Sequence, residues 1–252
     1  MRSLCWFPAI PFCIALYFGT MRSGSAQPIE KVIVETYQVG PSTGGGAPLI
    51  TYRIFLDLAP DHSLQMVYGD EHHSLRIETS TSFHNTVDGS VIYADQLVVD
   101  PKRPAPLTSD SWLTIGKVGA DHVGIPLDLD TDGSLLGDLD PLIKADGLLP
   151  CDRSREVMDF EFEPGYLAGM KGSTIETTNG AWALLGGMKG PTKENIVLIA
   201  QLTTTGRLHF VLNAQIGTPD GNFVKVVAKA PLEGEVLFDQ LTYGQRPVTY
   251  GE

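Results

Sequence analysis

From residue 31 onward, apolar side chains recur at every second position far more often than at helical spacing. The clearest stretch is 49–58, where Ile50, Tyr52, Ile54, Leu56 and Leu58 fall on one side and Thr51, Arg53 and Asp57 on the other. The same alternation predicts strands at 32–39, 64–68, 75–81, 91–99, 112–115, 182–185, 196–202, 208–216, 223–228 and 236–243. Glycine-bearing pairs at Asp88-Gly89, Thr205-Gly206 and Asp220-Gly221 predict hairpin turns between them. Only 153–159 has the character of a short helix. Many strands and almost no helix predict an all-β protein, a two-layer antiparallel β-sandwich of jelly-roll-like type. It is expected as a single domain over 27–252, with a long acidic loop insertion at 121–150.

The first residues follow a different pattern. A basic start at Met1-Arg2, an apolar stretch over 4–18 and the small residues Gly24-Ser25-Ala26 before Gln27 predict a secretory signal peptide over 1–26. The apolar stretch, about 15 residues interrupted by Pro8 and Pro11, falls short of the roughly 20 that a membrane span requires. The expected location is therefore secreted, extracellular or periplasmic, with no membrane span after signal cleavage. Losing 1–26 removes Arg2 and Arg22 and no acidic residue, so the formal charge moves from −12 to −14. So acidic a surface disfavours nucleic acid and anionic membranes as partners and favours divalent cations. Cys5 and Cys13 leave with the signal, and Cys151 is left without a partner for an intramolecular disulfide.

The acidity is concentrated in one place. Asp128, Asp130 and Asp132 alternate ahead of Gly133, with Asp138 and Asp140 following, a spacing that predicts a Ca2+ loop built from hard oxygen donors and a tight turn. It is not an EF-hand, because the twelfth position counted from Asp128 is Leu139 and Pro126 prevents a helix before it. The competing reading is a solvated loop whose Asp and Gly residues simply make turns.

Other constellations carry weaker signals. Asp70-Glu71-His72-His73, with His62 and His84 nearby in sequence, reads as a polar turn, with zinc as the alternative. Asp159, Glu161 and Glu163 alternate with Phe160 and Phe162, which suits a charged edge strand. The alternatives there are an acid/base carboxylate pair or further calcium ligands. Trp112 and Trp182, with Tyr37, Tyr68 and Tyr93, read as core in preference to a sugar-stacking platform. Gly40-Pro41-Ser42-Thr43-Gly44 spells a nucleophile elbow, but Gly45, Gly46 and Pro48 allow no helix after it, so a loop is expected.

The runs Tyr52-Arg53-Ile54-Phe55-Leu56-Asp57-Leu58-Ala59-Pro60, Leu64-Gln65-Met66-Val67-Tyr68-Gly69, Asp110-Ser111-Trp112-Leu113-Thr114-Ile115-Gly116, Gly190-Pro191-Thr192-Lys193-Glu194-Asn195 and Asn213-Ala214-Gln215-Ile216-Gly217-Thr218-Pro219 resemble a β-rich secreted domain of marine and gliding bacteria, of the Bacteroidetes surface-protein type. The resemblance covers most of 31–230 and implies export and fold, with no catalytic residues to carry over. The function expected from all of this is a secreted non-enzymatic module, a calcium-stabilised sandwich for adhesion, glycan or extracellular-matrix binding, with a glycan or a surface protein as partner. The alternative is a secreted polysaccharide hydrolase working through carboxylates such as Glu161 and Glu163.

Overall fold

The computed structural model describes residues 27–41, 46–86, 90–100, 102, 104–133, 145–151, 156–160 and 172–244. Its first sheet runs β1 (Ile29–Val39), β2 (Ile50–Leu58), β12 (Ile196–Thr204), β5 (Trp112–Leu113). The second runs β16 (Val236–Leu237), β15 (Phe223–Val227), β14 (Asn213–Gly217), β3 (Ser63–Gly69), β11 (Gly180–Met188), β9 (Val157–Phe160). A third joins β10 (Thr174–Thr177), β4 (Leu75–Thr79), β13 (Leu208–Val211) and β17 (Thr242–Tyr243), and a small fourth joins β6 (Lys117–Val118), β7 (His122–Gly124) and β8 (Leu148–Pro150). Among the described residues, neighbouring strands are antiparallel except β15 and β16, and the one α-helical turn is Ala105–Thr108. The protein is an all-β, antiparallel β-sandwich.

The pleat of β2 explains the layering. Ile54, Leu56 and Leu58 enter the main core with Leu64, Trp182, Ile199 and Phe210, while Phe55 on the other face joins a second core with Trp112, Leu148 and Leu198. Both faces of the first sheet are thus covered, and every residue of β12 is buried. That is why 196–202 reads as a nearly continuous apolar run. Trp112 and Trp182 are wholly buried, and their indole N–H groups donate to the carbonyls of Pro106 (3.2 Å) and Thr114 (3.0 Å). They are core, as their apolar neighbours suggest, and truncating either to alanine is expected to cost about 3–5 kcal/mol.

Several elements differ from the sequence expectation, each for a local reason. Residues 91–99 do not form a strand. Ala94–Gln96 is a 3-10 turn whose Ala94 packs into the second core, and Asp95 turns aside to accept the N–H of Val157. Val157 to Asp159, expected as helix, is strand β9 paired with β11; residues 153–155 lie outside the described set. The run 208–216 breaks at Leu212, so that β13 and β14 belong to different sheets, and 236–243 is interrupted by the 3-10 turn Asp239–Leu241. Asp220-Gly221 does turn a hairpin between β14 and β15, with Gly221 at φ 85°. Thr205-Gly206 instead links the first sheet to the third, and Asp88-Gly89 lies outside the described residues. The stretch 121–150 begins and ends in strands, β7 and β8, which pair with each other.

Candidate functional site

The chain changes sheets twice at one corner. Residues 70–74 carry it from β3 in the second sheet to β4 in the third, and Leu212 carries it back from β13 to β14 without a turn. The sheets diverge there, leaving a cavity of about 450 Å3 lined by His72, His73, Arg76, Glu176, His209 and Lys229, among others.

Strand register assembles the lining. Arg76 and Glu78 are two apart on β4 and share a face, whereas Leu75 and Ile77 point into the core. Glu176 of β10 lies opposite Arg76, and His209 of β13 lies opposite Glu78. Arg76 grips both carboxylates: Nε and Nη2 bond Glu78 Oε2 at 2.8 and 2.6 Å, and Nη1 bonds Glu176 Oε2. The hydrogen bond to Glu78 is the main reason the guanidinium lies above its ordinary pKa. Burial opposes it, and the charges of Glu78 and Glu176 add to it.

The histidines are held from behind. Asp70 Oδ1 accepts the N–H groups of His72 (3.0 Å) and His73 (2.9 Å), closing the polar turn that the sequence suggests, and Oδ2 takes the Lys225 ammonium at 3.0 Å. Burial raises the Asp70 carboxyl, but these bonds outweigh it and hold the group below its ordinary value. His73 Nε2 lies 2.7 Å from Glu235 Oε2, with both side chains nearly fully buried (5% and 8% exposed). His209 Nδ1 lies 3.3 Å from the Gly244 carbonyl, and its Nε2 is 3.9 Å from Glu78 Oε1. On the rim, Ala230 adopts φ 47°, a left-handed conformation that a Cβ disfavours. Such a wall offers fixed donors and acceptors to a ligand. Its two carboxylates are joined by one guanidinium and do not face each other across an open gap as an acid and a base.

Of the lining, only His72 and His73 were singled out from the sequence. His62, whose Nδ1 lies 3.0 Å from the Pro60 carbonyl, and His84 do not join them. Among the described residues no three His, Cys, Asp or Glu side chains converge where they could hold a metal ion. Arg76, Glu176, His209 and Lys229 were missed. The one local signal was Arg76 and Glu78 at alternate positions of a strand whose other face is apolar.

The acidic loop is a second polar region, built around a different arginine. Arg53 is fully buried on β2, stacked 3.6 Å from the Tyr37 ring centroid. Its Nη1 donates to the carbonyls of Asp146 (2.9 Å) and Gly147 (3.2 Å), and its Nε donates to Gln201 Oε1 (3.0 Å). Gly147 sits at φ 65°, and a Cβ there would stand 2.6 Å from Nη1. From the other strand of the loop, Asp130 Oδ2 accepts the N–H groups of Asp146 (3.0 Å) and Gly147 (2.9 Å), and Glu35 Oε1 accepts that of Leu127 (2.9 Å). Burial pushes the Glu35 carboxyl up, the Leu127 N–H and Arg53 pull it down, and Asp128 pushes it up again.

Asp128 therefore lies in the 3-10 turn Leu127–Leu129, Asp130 is fastened to the returning chain, and Asp132 is exposed beside Gly133 at φ 87°. Asp130 Oδ1 is buried and meets no donor among the described residues. The Asp132 carboxyl is raised by burial, then by the hydrogen bond and charge of Asp130, then by the charge of Asp146. Asp138 and Asp140 lie outside the described residues.

The remaining candidates separate cleanly. Strand β9, which carries Asp159, is an edge of the second sheet with Phe160 half exposed, and Glu161 and Glu163 lie outside the described residues, as do Ser42, Thr43 and Gly44. Cys151 is half-buried, with the Lys117 ammonium 3.1 Å from its sulfur. No helix among the described residues is long and apolar enough to cross a membrane. No protein-family model, no curated protein and no solved structure matches the chain.

Proposed function

We propose that this protein is an exported, non-enzymatic recognition module, a β-sandwich that holds extracellular material such as glycan or matrix through the corner pocket. The observation that carries the reading is the guanidinium of Arg76 in the wall of a cavity of about 450 Å3, clamping Glu176 of the same wall and the buried Glu78 behind it. Pockets of a few hundred Å3 with convergent polar groups are typical ligand sites. Carboxylates bound to one arginine are arranged to orient a ligand, whereas a glycosidase needs its two free to serve as acid and as nucleophile or base. Export is supported by the signal-like pattern of 1–26.

A calcium ion at the acidic loop belongs to this reading as a stabiliser. It is supported by Asp130 Oδ1, buried without a donor among the described residues, beside an Asp132 carboxyl whose negative form Asp130 and Asp146 disfavour. A cation there relieves both.

The test is retention of insoluble and immobilised extracellular polysaccharides by the mature protein, read together with release of reducing ends. Saturable retention without new reducing ends is expected. Steady release of reducing ends at a rate proportional to protein overturns the non-enzymatic reading in favour of a hydrolase.

A further inference from the structure

We infer that the corner pocket takes a neutral, polyhydroxylated ligand, a sugar unit with free hydroxyls, and discriminates against acidic sugars. This rests on the recognition reading above and names the chemistry of that site.

The arginine of the lining is already paired, and one exposed lysine stands at the rim. Arg76 already carries Glu78 and Glu176, and His73 is backed by Glu235. Lys229 is an exposed cation on the rim. A carboxylate or sulfate entering the pocket would compete with Glu176 for Arg76 and lie beside its negative charge, an arrangement that costs affinity. The −12 charge of the whole chain works in the same direction.

A hydroxyl, by contrast, both donates and accepts. It can donate to Glu176, whose side chain is 41% exposed at the pocket. It can also accept from Lys229 without adding charge. In each of the three imidazoles one ring nitrogen already faces an acceptor: His72 Nε2 faces the Glu71 carboxylate, His73 Nε2 that of Glu235, and His209 Nδ1 the Gly244 carbonyl. A neutral ring with its N–H there has its other nitrogen left as an acceptor. His72, His73 and His209 therefore add acceptors to which further sugar hydroxyls can donate. Carboxylate–hydroxyl bonds are charge-assisted and so supply a large share of the affinity such a site can reach. The apolar contacts come from Val211, which lies opposite Arg76 across β13 and β4, and from Ala228; together they give the C–H faces of a sugar ring a place to lie.

The experiment is calorimetric titration of the full mature chain with cellobiose, lactose and maltose, and with the galacturonate and glucuronate dimers, at matched ionic strength. At least one neutral disaccharide is expected to bind at millimolar concentration or below, with the uronates weaker. Glu176→Gln is expected to weaken the neutral ligand about ten- to a hundredfold, the worth of a hydrogen bond to a charged group. Lys229→Ala, a rim change that the fold tolerates, is expected to weaken it less, and thermal melting of both variants checks that they are folded. Uronates binding more tightly than every neutral probe overturns the ligand class and leaves the recognition reading standing. Neutral binding that neither variant alters overturns the pocket as its location. Absence of binding by every soluble probe, with polysaccharide retained, overturns the single-sugar chemistry; absence of both takes away the recognition reading itself.

Discussion

Two arginines organise the two polar regions of this protein, and they do opposite things. Arg53 is wholly buried and spends its donors on main-chain carbonyls of Asp146 and Gly147 and on the Gln201 amide, with the Tyr37 ring across its face. Arg76 is a quarter exposed, grips two carboxylates and borders a cavity. A guanidinium surrounded by carbonyls joins chain segments that are far apart in sequence. One paired to carboxylates at the edge of a cavity holds an array of charges ready for a ligand. The difference lies in the acceptors and the access, because the side chain is the same.

The largest effect that sharpens this contrast is on stability. Arg53→Met leaves the Gln201 amide oxygen buried without its donor and takes one of two donors from each of the Asp146 and Gly147 carbonyls, which keep the Tyr37 hydroxyl and the Ile125 N–H. It is expected to lose about 3 kcal/mol in urea unfolding. Binding at the pocket is expected to persist in the folded fraction. A variant as stable as wild type would show that the loop base does not depend on this network.

Next comes the cation. If calcium binds the folded loop alone, stability rises by about 2.7 kcal/mol at a hundredfold excess over Kd. Asp132→Ala, which spares the bonds of Asp130 to Asp146 and Gly147, is expected to abolish that rise while leaving the sandwich intact. Identical melting of the wild type in millimolar calcium and in chelator, with magnesium absent from both, would remove calcium from the account and leave a loop held by hydrogen bonds alone.

The acid limb of stability is a smaller effect. Asp70 is held below its ordinary carboxyl value, so its contribution is fully present above the unfolded value of 3.8 and fades as the pH falls through the lower folded value. The Lys225–Asp70 pair is partly exposed, so Asp70→Asn is expected to remove less than about 1 kcal/mol at neutral pH and to flatten the pH dependence below 3.8. Urea unfolding at a series of pH values reads both. An unchanged slope in the variant would assign the acid limb to other carboxylates.

The sequence made the two regions unequally legible. The acidic loop stands out because its aspartates are neighbours in the chain, and the alternation of 49–58 announces β2 because a pleated strand sends successive side chains to opposite faces. What local patterns could not convey is pairing. Arg53 meets Asp146 and Gly147 across more than 90 positions, and Arg76 meets Glu176 across 100. The pocket exists because β3 and β4, and β13 and β14, belong to different sheets, and nothing in 208–216 marks the break at Leu212. Where tertiary contacts override local pattern, as at 91–99 and 157–159, the competing interaction was again distant: the Asp95 carboxylate with the Val157 N–H, and the pairing of β9 with β11. Export and the chemistry of Glu161 and Glu163 rest on residues outside the described set.

The most direct measurement is a histidine-resolved NMR titration with the neutral disaccharide that binds best. The ring resonances of His72, His73 and His209 are expected to shift together and saturably, while the amides of 127–133 and 145–147 stay where they are. Shifts confined to the loop amides, with the three imidazoles unmoved at saturation, would contradict the assignment of recognition to the Arg76 corner.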